Sequence, residues 1–303
     1  MNKTHITSSP KEELMAQRSF TVILPTFGRS KLLSRVLDSI RNQHYTNWEC
    51  IIIDDGSSDN TPEITNNYME LDSRFHYIRQ SNEGVNSARN TGIEFALSKF
   101  KDFYFLFIDD DDYLHKDCLS NANTSISNNN EYKWHGFNSI KVSDGKNISI
   151  IKNYGVNNYI HDLMFGKNWR GDITSFIHDS IVGNYRYCTE IKNGEEWFFW
   201  SQLASRNDTF ISNIPGSYKD FLPAGLTKSG FNRDKAIQVI QLKLRMLSPI
   251  VGEVNMIHQF VSLAKHLYQQ GSKSEARKLL IKVFKLNPWY VRQYPHWIKQ
   301  LFY

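Results

Sequence analysis

The sequence predicts an α/β protein built on a mostly parallel central sheet with helices on both faces. Three observations carry this. Short β-branched and aromatic runs alternate with stretches of helical periodicity between residues 19 and 115, the rhythm of strand, helix and parallel strand. Two of those runs lead directly into acidic clusters, at 54–59 and 109–112, where open α/β sheets bind ligands beyond their carboxyl ends. The 303 residues, 40% hydrophobic and 14% aromatic, supply enough material for one large or two moderate cores.

The elements follow in order. Residues 1–18 are polar and aperiodic, a loose leader. Phe20-Thr21-Val22-Ile23-Leu24 is a buried strand stopped by Pro25. Beyond the turn Pro25-Thr26-Phe27-Gly28-Arg29, Ser30 is placed to cap a helix with Leu32, Leu33, Val36, Leu37 and Ile40 at helical spacing. Trp48 to Ile53 forms a second buried strand, 61–71 a helix, 76–79 a weaker strand, 84–99 a glycine-containing helix and 103–108 another apolar strand. Residues 115–190 have no clear segmentation, and the Asn/Ser-rich stretch Asn121 to Asn130 reads as a surface excursion. Glu195 to Ala204 is helical and aromatic, and 210–234 reads as loop or short strands around Pro215-Gly216 and Pro223-Ala224-Gly225. Beyond Lys235 the pattern is helical, with a helix pair hinged at Gln270-Gly271-Ser272. That pair has a tetratricopeptide flavour but no second copy at a fixed period, so it reads as an appendage.

Charge and cysteine usage narrow the classes. The net charge of +5 is uneven, because residues 235–303 hold eleven Lys and Arg against two Asp and Glu, which leaves the rest of the chain at −4. Cys50, Cys118 and Cys188 are odd in number, without a C-x-x-C spacing or neighbouring histidines, so neither a disulfide framework nor a zinc site is expected. There is no apolar signal region and no apolar run near the ~20 residues that span a bilayer. The expectation is a cytoplasmic protein.

Five segments carry candidate chemistry. In Ile108-Asp109-Asp110-Asp111-Asp112-Tyr113, adjacent carboxylates repel and call for positive charge among them. Mg²⁺ or Mn²⁺ suits such hard oxygen ligands, and alternation along an extended segment would point Asp109 and Asp111 the same way. Neither acidic cluster has the central Gly or terminal Glu of an EF-hand. Asp54-Asp55-Gly56-Ser57-Ser58-Asp59 is an ordinary turn former when taken alone. Phe27 and Arg29 lie just past the first strand, where a base could stack on Phe27 while a carboxylate of the second cluster receives its N–H groups; a core Phe and a surface Arg fit equally well. Asn82 to Gly92 opens a helix with small residues that permit close approach, and Arg89 there is suited to a phosphate or to the nearby aspartates. In Gly194-Glu195-Glu196-Trp197-Phe198-Phe199-Trp200, a carboxylate among aromatic rings suits a general base, although paired glutamates at a helix start also simply favour the helix dipole.

Taken in order, these segments resemble the family 2 glycosyltransferases, inverting enzymes with the glycosyltransferase A-type fold. The resemblance runs through Val22-Ile23-Leu24-Pro25-Thr26-Phe27, the Asp54 to Asp59 turn, Gly84-Val85 through Gly92, and Ile108 to Asp112, and it resumes at Gly194-Glu195-Glu196-Trp197. It implies nucleotide-sugar contacts from Pro25, Thr26, Phe27, Arg29, Asp55, Arg89, Asp109 and Asp110. It further implies that Asp109 and Asp111 hold Mn²⁺ or Mg²⁺, with Asp111 the more direct ligand. Glu196 takes the position of the family's catalytic base, although the usual Glu-Asp pair is Glu195-Glu196 here, and Phe27 and Gly28 replace a commoner Tyr and Asn.

The domains implied are 19–234 for catalysis, divided into 19–115 for the nucleotide sugar and 116–234 for the acceptor, and 235–303 as a basic helical region. The implied reaction moves a sugar from a nucleotide-diphosphate donor, by family default UDP, to a saccharide or lipid-linked saccharide in surface polysaccharide biosynthesis. Nucleic acid is not an expected partner. A non-catalytic nucleotide-sugar-binding protein is the alternative. A nucleotidyltransferase lacks its Gly-rich, Lys-containing loop here, and a Rossmann dehydrogenase its G-x-G-x-x-G. Lys282, Lys285, Arg292 and Lys299 interleave with Phe284, Trp289, Tyr290, Tyr294, Trp297 and Phe302, a mixture that suits contact of 283–303 with an anionic membrane, on the inner face of the plasma membrane; a helix hairpin packed on the catalytic domain fits equally well.

Overall fold

Strand β1 (Ser19–Thr26) pairs in parallel with β2 (Trp48–Asp54) on one side and β4 (Phe103–Phe107) on the other, and β2 pairs with β3 (Phe75–Arg79). The computed structural model describes residues 17–190, 196–220 and 232–289. Between these strands lie α1 (Ser30–Arg41), α2 (Thr61–Leu71) and α3 (Val85–Lys99), the crossovers that the periodicity predicts. Then come β5 (Tyr113–Leu114), α4 (Cys118–Asn128), β6 (Trp134–Lys141), β7 (Ile150–Ile151), β8 (Gly155–Asn157), a π-type turn over Tyr159–Met164, β9 (Trp169–Arg170) and β10 (Ile173–His178). The chain continues with α5 (Asp179–Val182), α6 (Trp197–Ala204), β11 (Thr209–Lys219), α7 (Arg233–Val251), α8 (Ile257–Gln269) and α9 (Lys273–Leu286).

Among the described residues the main sheet has nine strands in the order β3-β2-β1-β4-β10-β6-β11-β5, with β8 also on β11. Six of them point the same way; β10, β5 and β8 are reversed. The mostly parallel sheet is therefore as expected, with β10 as an antiparallel rib between β4 and β6. Alternation along the strands divides the apolar side chains between two cores. Phe20, Val22 and Leu24 of β1 join Trp48, Ile52 and Leu106 beneath α1 and α4. Ile23, Ile51, Ile53 and Phe105 face α3 and α6 on the other side.

Several expectations are corrected. The first strand does not stop at Pro25 but continues to Thr26, which is in register with Asp54. The Ile23 carbonyl is turned to the β4 side, where it accepts from Ile108, and that of Thr26 to the β2 side, where it accepts from Asp55. Pro25 is thus turned toward the space beyond the end of β4, where a missing N–H removes no sheet bond. The Asn/Ser-rich stretch is helix α4, because Leu119, Ala122 and Ile126 recur with helical spacing and are fully buried under the sheet. Residues 209–219 form one long strand, not loop, with irregular register between Ser212 and Ser217 around Pro215; the expectation for Pro223 to Gly225 falls outside the described residues.

Ser30 does not cap α1. Asp59 does: one carboxylate oxygen accepts from Ser30 N at 2.9 Å, and the other from the Thr61 backbone N–H and hydroxyl at the start of α2. Partial burial alone would raise this carboxyl, but the bonds from Thr61 and Ser30 outweigh it and hold it near 2. The C-terminal helices pack on the sheet-bearing part, with Leu247, Phe260 and Val283 clustered against Met164, Trp197 and Phe198. The hinge falls between α8 and α9, as expected.

Two substitutions test this frame. Asp59→Ala removes the acceptor shared by two helix starts and is expected to cost about 1–2 kcal/mol in urea denaturation, with no change of fold by circular dichroism. Gly92 of α3 lies so close to β1 and β2 that a Cβ would sit 2.6 Å from Ile23 Cγ2 and 2.8 Å from Ile53 Cδ1. Gly92→Ala is therefore expected to destabilise the protein by about 1–3 kcal/mol in the same measurement, even though alanine favours helix.

Candidate active site

The chain turns immediately after β4. Asp112 N donates to the Asp109 carbonyl at 3.1 Å, so residues 109–112 are a turn and not the extended segment expected from alternation. Asp109 and Asp111 nevertheless converge, and Asp112 joins them: one carboxylate oxygen from each lies within 4.8 Å of the others. Asp110 is directed to the end of β1, where its carboxylate accepts from Thr26 Oγ1 at 2.8 Å and from Arg29 Nη1 at 2.8 Å.

Cations from three separate places pair with the carboxylates of this turn. Arg29, expected as a surface or nucleotide contact, bridges Asp110 and Asp111 at 2.8 and 2.9 Å. Arg89 of α3 reaches Asp109 at 2.7 Å, and Lys219 at the end of β11 reaches Asp112 at 2.5 Å. Arg35 of α1 donates to the Asp111 carbonyl and pairs with Asp220, fastening the start of the turn's exit to both elements. Burial pushes the Asp110 carboxyl up to about 6 against Arg29 and Thr26, and that of Asp112 up to about 7 against Lys219. Asp111 is also raised, by burial and then by Asp109. Asp109 is held below its ordinary value, because Arg89 and Lys219 outweigh its burial.

The second acidic cluster organises the neighbouring strand ends. Asp55, expected to receive a base, is buried and accepts from Gln80 Nε2, Glu83 N and Gly84 N at 2.8–2.9 Å, which positions the start of α3. Asp54 accepts from Ser57 N and the Tyr77 hydroxyl, and Ser57 Oγ accepts from Gly28 N. Thr26 is buried by its bond to Asp110, whereas Phe27 stands 52% exposed on the open side, free to stack on a planar ring.

Glu196, just before α6, comes to the same place. Its Oε1 lies 2.8 Å from Arg89 Nη1, and its side chain is 41% exposed. Arg89 thus stands between Asp109 and Glu196 with only 5% of its side chain exposed and its guanidinium 5.3 Å from the centre of the Tyr187 ring. Burial alone would weaken its charge, but Glu196 and Asp109 more than offset that. Glu195 falls outside the described residues.

The site gathers five carboxylates, Asp109 to Asp112 and Glu196, around the cations Arg29, Arg89 and Lys219. With every carboxylate ionised, two negative charges would remain in excess of these three cations, and burial, with Asp109 as a like charge nearby, holds the carboxyls of Asp110, Asp111 and Asp112 above their ordinary values. Three convergent hard oxygen donors and a deficit of two charges fit a divalent cation such as Mg²⁺ or Mn²⁺.

Sequence reasoning did not single out Asp112, Lys219 or Arg35. Lys219 is brought in by a strand pairing that has no local signal. Asn86 and Asn90 were also passed over, although their i, i+4 spacing was visible. They grip the segment that leads toward Glu196: Asn90 exchanges two bonds with the Tyr187 backbone and Asn86 donates to the Cys188 carbonyl.

The description glycosyl transferase family 2 matches residues 21–183. A GalNAc(5)-diNAcBac-PP-undecaprenol beta-1,3-glucosyltransferase of Campylobacter jejuni is 29% identical over 215 residues, which cover 68% of this chain and 66% of that protein. The chain spans between 15% and 66% of the length of several such relatives. Two solved structures share the fold. S. aureus TarS 1-349 in complex with UDP-GlcNAc has a TM-score of 0.64 at 17% identity, over 82% of this chain and 71% of that one. The mannosyltransferase PcManGT of Pyrobaculum calidifontis, in complex with GDP-Man and Mn²⁺, has 0.55 at 16% identity, over 88% and 76%.

Proposed function

The chain belongs to glycosyl transferase family 2, and from that membership we propose that it moves a sugar from a UDP-linked donor to a hydroxyl of a saccharide or lipid-linked saccharide, inverting the anomeric centre, in surface polysaccharide biosynthesis. The observation that carries this reading is the meeting of Asp109 and Asp111 with Glu196 at the carboxyl ends of β1, β2 and β4. The TarS complex with UDP-GlcNAc supports the nucleotide, and the undecaprenol-linked substrate named for the Campylobacter relative supports the acceptor class.

Residues 19–115 serve the donor, and Pro25, Thr26, Phe27, Arg29, Asp55, Asp109 and Asp110 line or build its side. Phe27 offers an exposed ring face to the base. Asp109 and Asp111 would hold the cation, with Asp112 beside them. When bound, Mn²⁺ or Mg²⁺ supplies positive charge to the departing diphosphate. Glu196 takes the proton of the acceptor hydroxyl as that oxygen bonds to the anomeric carbon. The bond from that carbon to the diphosphate oxygen breaks, and its electron pair leaves with the nucleotide. Attack from the face opposite the leaving group inverts the centre. The partly exposed Glu196 carboxylate has the access to solvent and acceptor that this role needs.

No helix of the described residues is long and apolar enough to cross a membrane. We read residues 283–303 as a peripheral contact with an anionic bilayer, made from the side of α9 opposite the buried Val283 and supported at its described start by Phe284 and Trp289, 53% and 72% exposed near Lys285. Residues 290–303 fall outside the described part.

Asp111→Asn is expected to abolish Mn²⁺-dependent UDP release from a panel of UDP-sugars while thermal melting stays within a few degrees. Glu196→Gln is expected to keep UDP binding but lower turnover ~10²-fold or more, the scale of a lost general base; full activity would remove Glu196 from that role. Phe284→Ser with Lys285→Glu is expected to reduce sedimentation with vesicles containing anionic phospholipid, and unchanged sedimentation would remove the membrane reading.

A further inference from the structure

We propose that Arg89 is a positioning residue that couples the cation-binding side of the site to the base, and that it does not contact the donor's phosphates. The inference rests on the reading of Glu196 as the base and Asp109 as a cation ligand, and the geometry around Arg89 carries it further. One planar fork spans the two carboxylates, Nη2 to Asp109 at 2.7 Å and Nη1 to Glu196 at 2.8 Å. With 5% of the side chain exposed, the guanidinium has little free surface to offer a ligand. Its Nη1 also donates to Asn86 Oδ1 at 3.3 Å.

The surroundings fix Arg89 as a rigid spacer. It projects from α3, which Gly92 seats directly on β1 and β2. Its guanidinium lies against Tyr187, whose ring stacks on Phe199 of α6 at 4.2 Å. Asn86 and Asn90, one turn apart on the same helix, bind the backbone at residues 187 and 188. Arg89 therefore stands on a helix clamped at once to the donor-side strands and to the segment approaching Glu196. A guanidinium suits this place because its donors form a fixed fork that holds two carboxylates at one spacing, whereas an ammonium is a single point. Asp109 and Glu196 come from segments 87 residues apart in sequence, and among the described residues Arg89 touches both. The separation between the leaving-group side and the base is then set by one side chain, and an error of about 1 Å in such a spacing costs on the order of 10²-fold in rate.

The test compares Arg89→Lys, Glu196→Gln and the double variant in the full chain. Arg89→Lys keeps the buried charge and so guards against loss of folding, which melting temperature monitors. UDP affinity is measured by calorimetry with Mn²⁺, and turnover by UDP released from UDP-glucose and UDP-N-acetylglucosamine. The expected result for Arg89→Lys is a kcat lower by about 10²-fold, with UDP affinity and donor KM within about threefold of the parent. The double variant should be no slower than Glu196→Gln alone, because the arginine acts through the glutamate. A tenfold or greater loss of UDP affinity in Arg89→Lys would make it a phosphate contact and overturn the proposal. Losses that multiply in the double variant would overturn the coupling while leaving the base assignment standing. A fully active Glu196→Gln would remove the base assignment, and the proposal with it.

Discussion

Four consecutive carboxylates can crowd the end of β4 because cations are delivered to them from distant parts of the chain. Arg29 comes from the loop after β1, Arg89 from α3 and Lys219 from the far end of β11. Buried like charges are among the most expensive things a fold can hold, and each is tolerable only when paired. The requirement accounts for the meeting of the strand ends, the N-terminal half of α3 and the last residues of β11 at one point.

The two acidic clusters divide the work between them. The one at residues 109–112 concentrates uncompensated charge. The one at residues 54–59 spends its carboxylates on backbone N–H groups and hydroxyls: Asp55 at the start of α3, Asp59 at the starts of α1 and α2, Asp54 within its own turn. The second cluster is thus chiefly a scaffold for the first, as the turn-forming reading of its sequence expects.

Much of the first half was legible in the sequence because its signals are local. The strands at 48–54 and 103–107 follow from apolar runs and the helix at 30–41 from apolar periodicity, whereas Asp109 and Asp111 converge through a turn and not by the alternation of an extended segment. What was hidden depends on long-range pairing. Lys219 acquires its role only when β11 pairs with β5, which brings it beside Asp112, and the polar stretch over α4 hides three buried apolar residues among asparagines and serines. Pro25 misled because its cost in a strand depends on whether a neighbour is present, and β4 had already ended. The bridge made by Arg89 could not be read from spacing, since its two partners lie 20 and 107 residues away.

The reversed strand β10 has a consequence for how such a molecule can diversify. Everything on the β1 side of it, from β3 to β4, is one uninterrupted stretch of chain whose topology closes on itself. Everything beyond it comes from residues 113–219, placed out of chain order and joined by antiparallel or irregular pairings. Insertions between the strands on the far side can therefore be taken up without shifting the register of the near side, provided that Lys219 and Glu196 still reach the turn at 109–112.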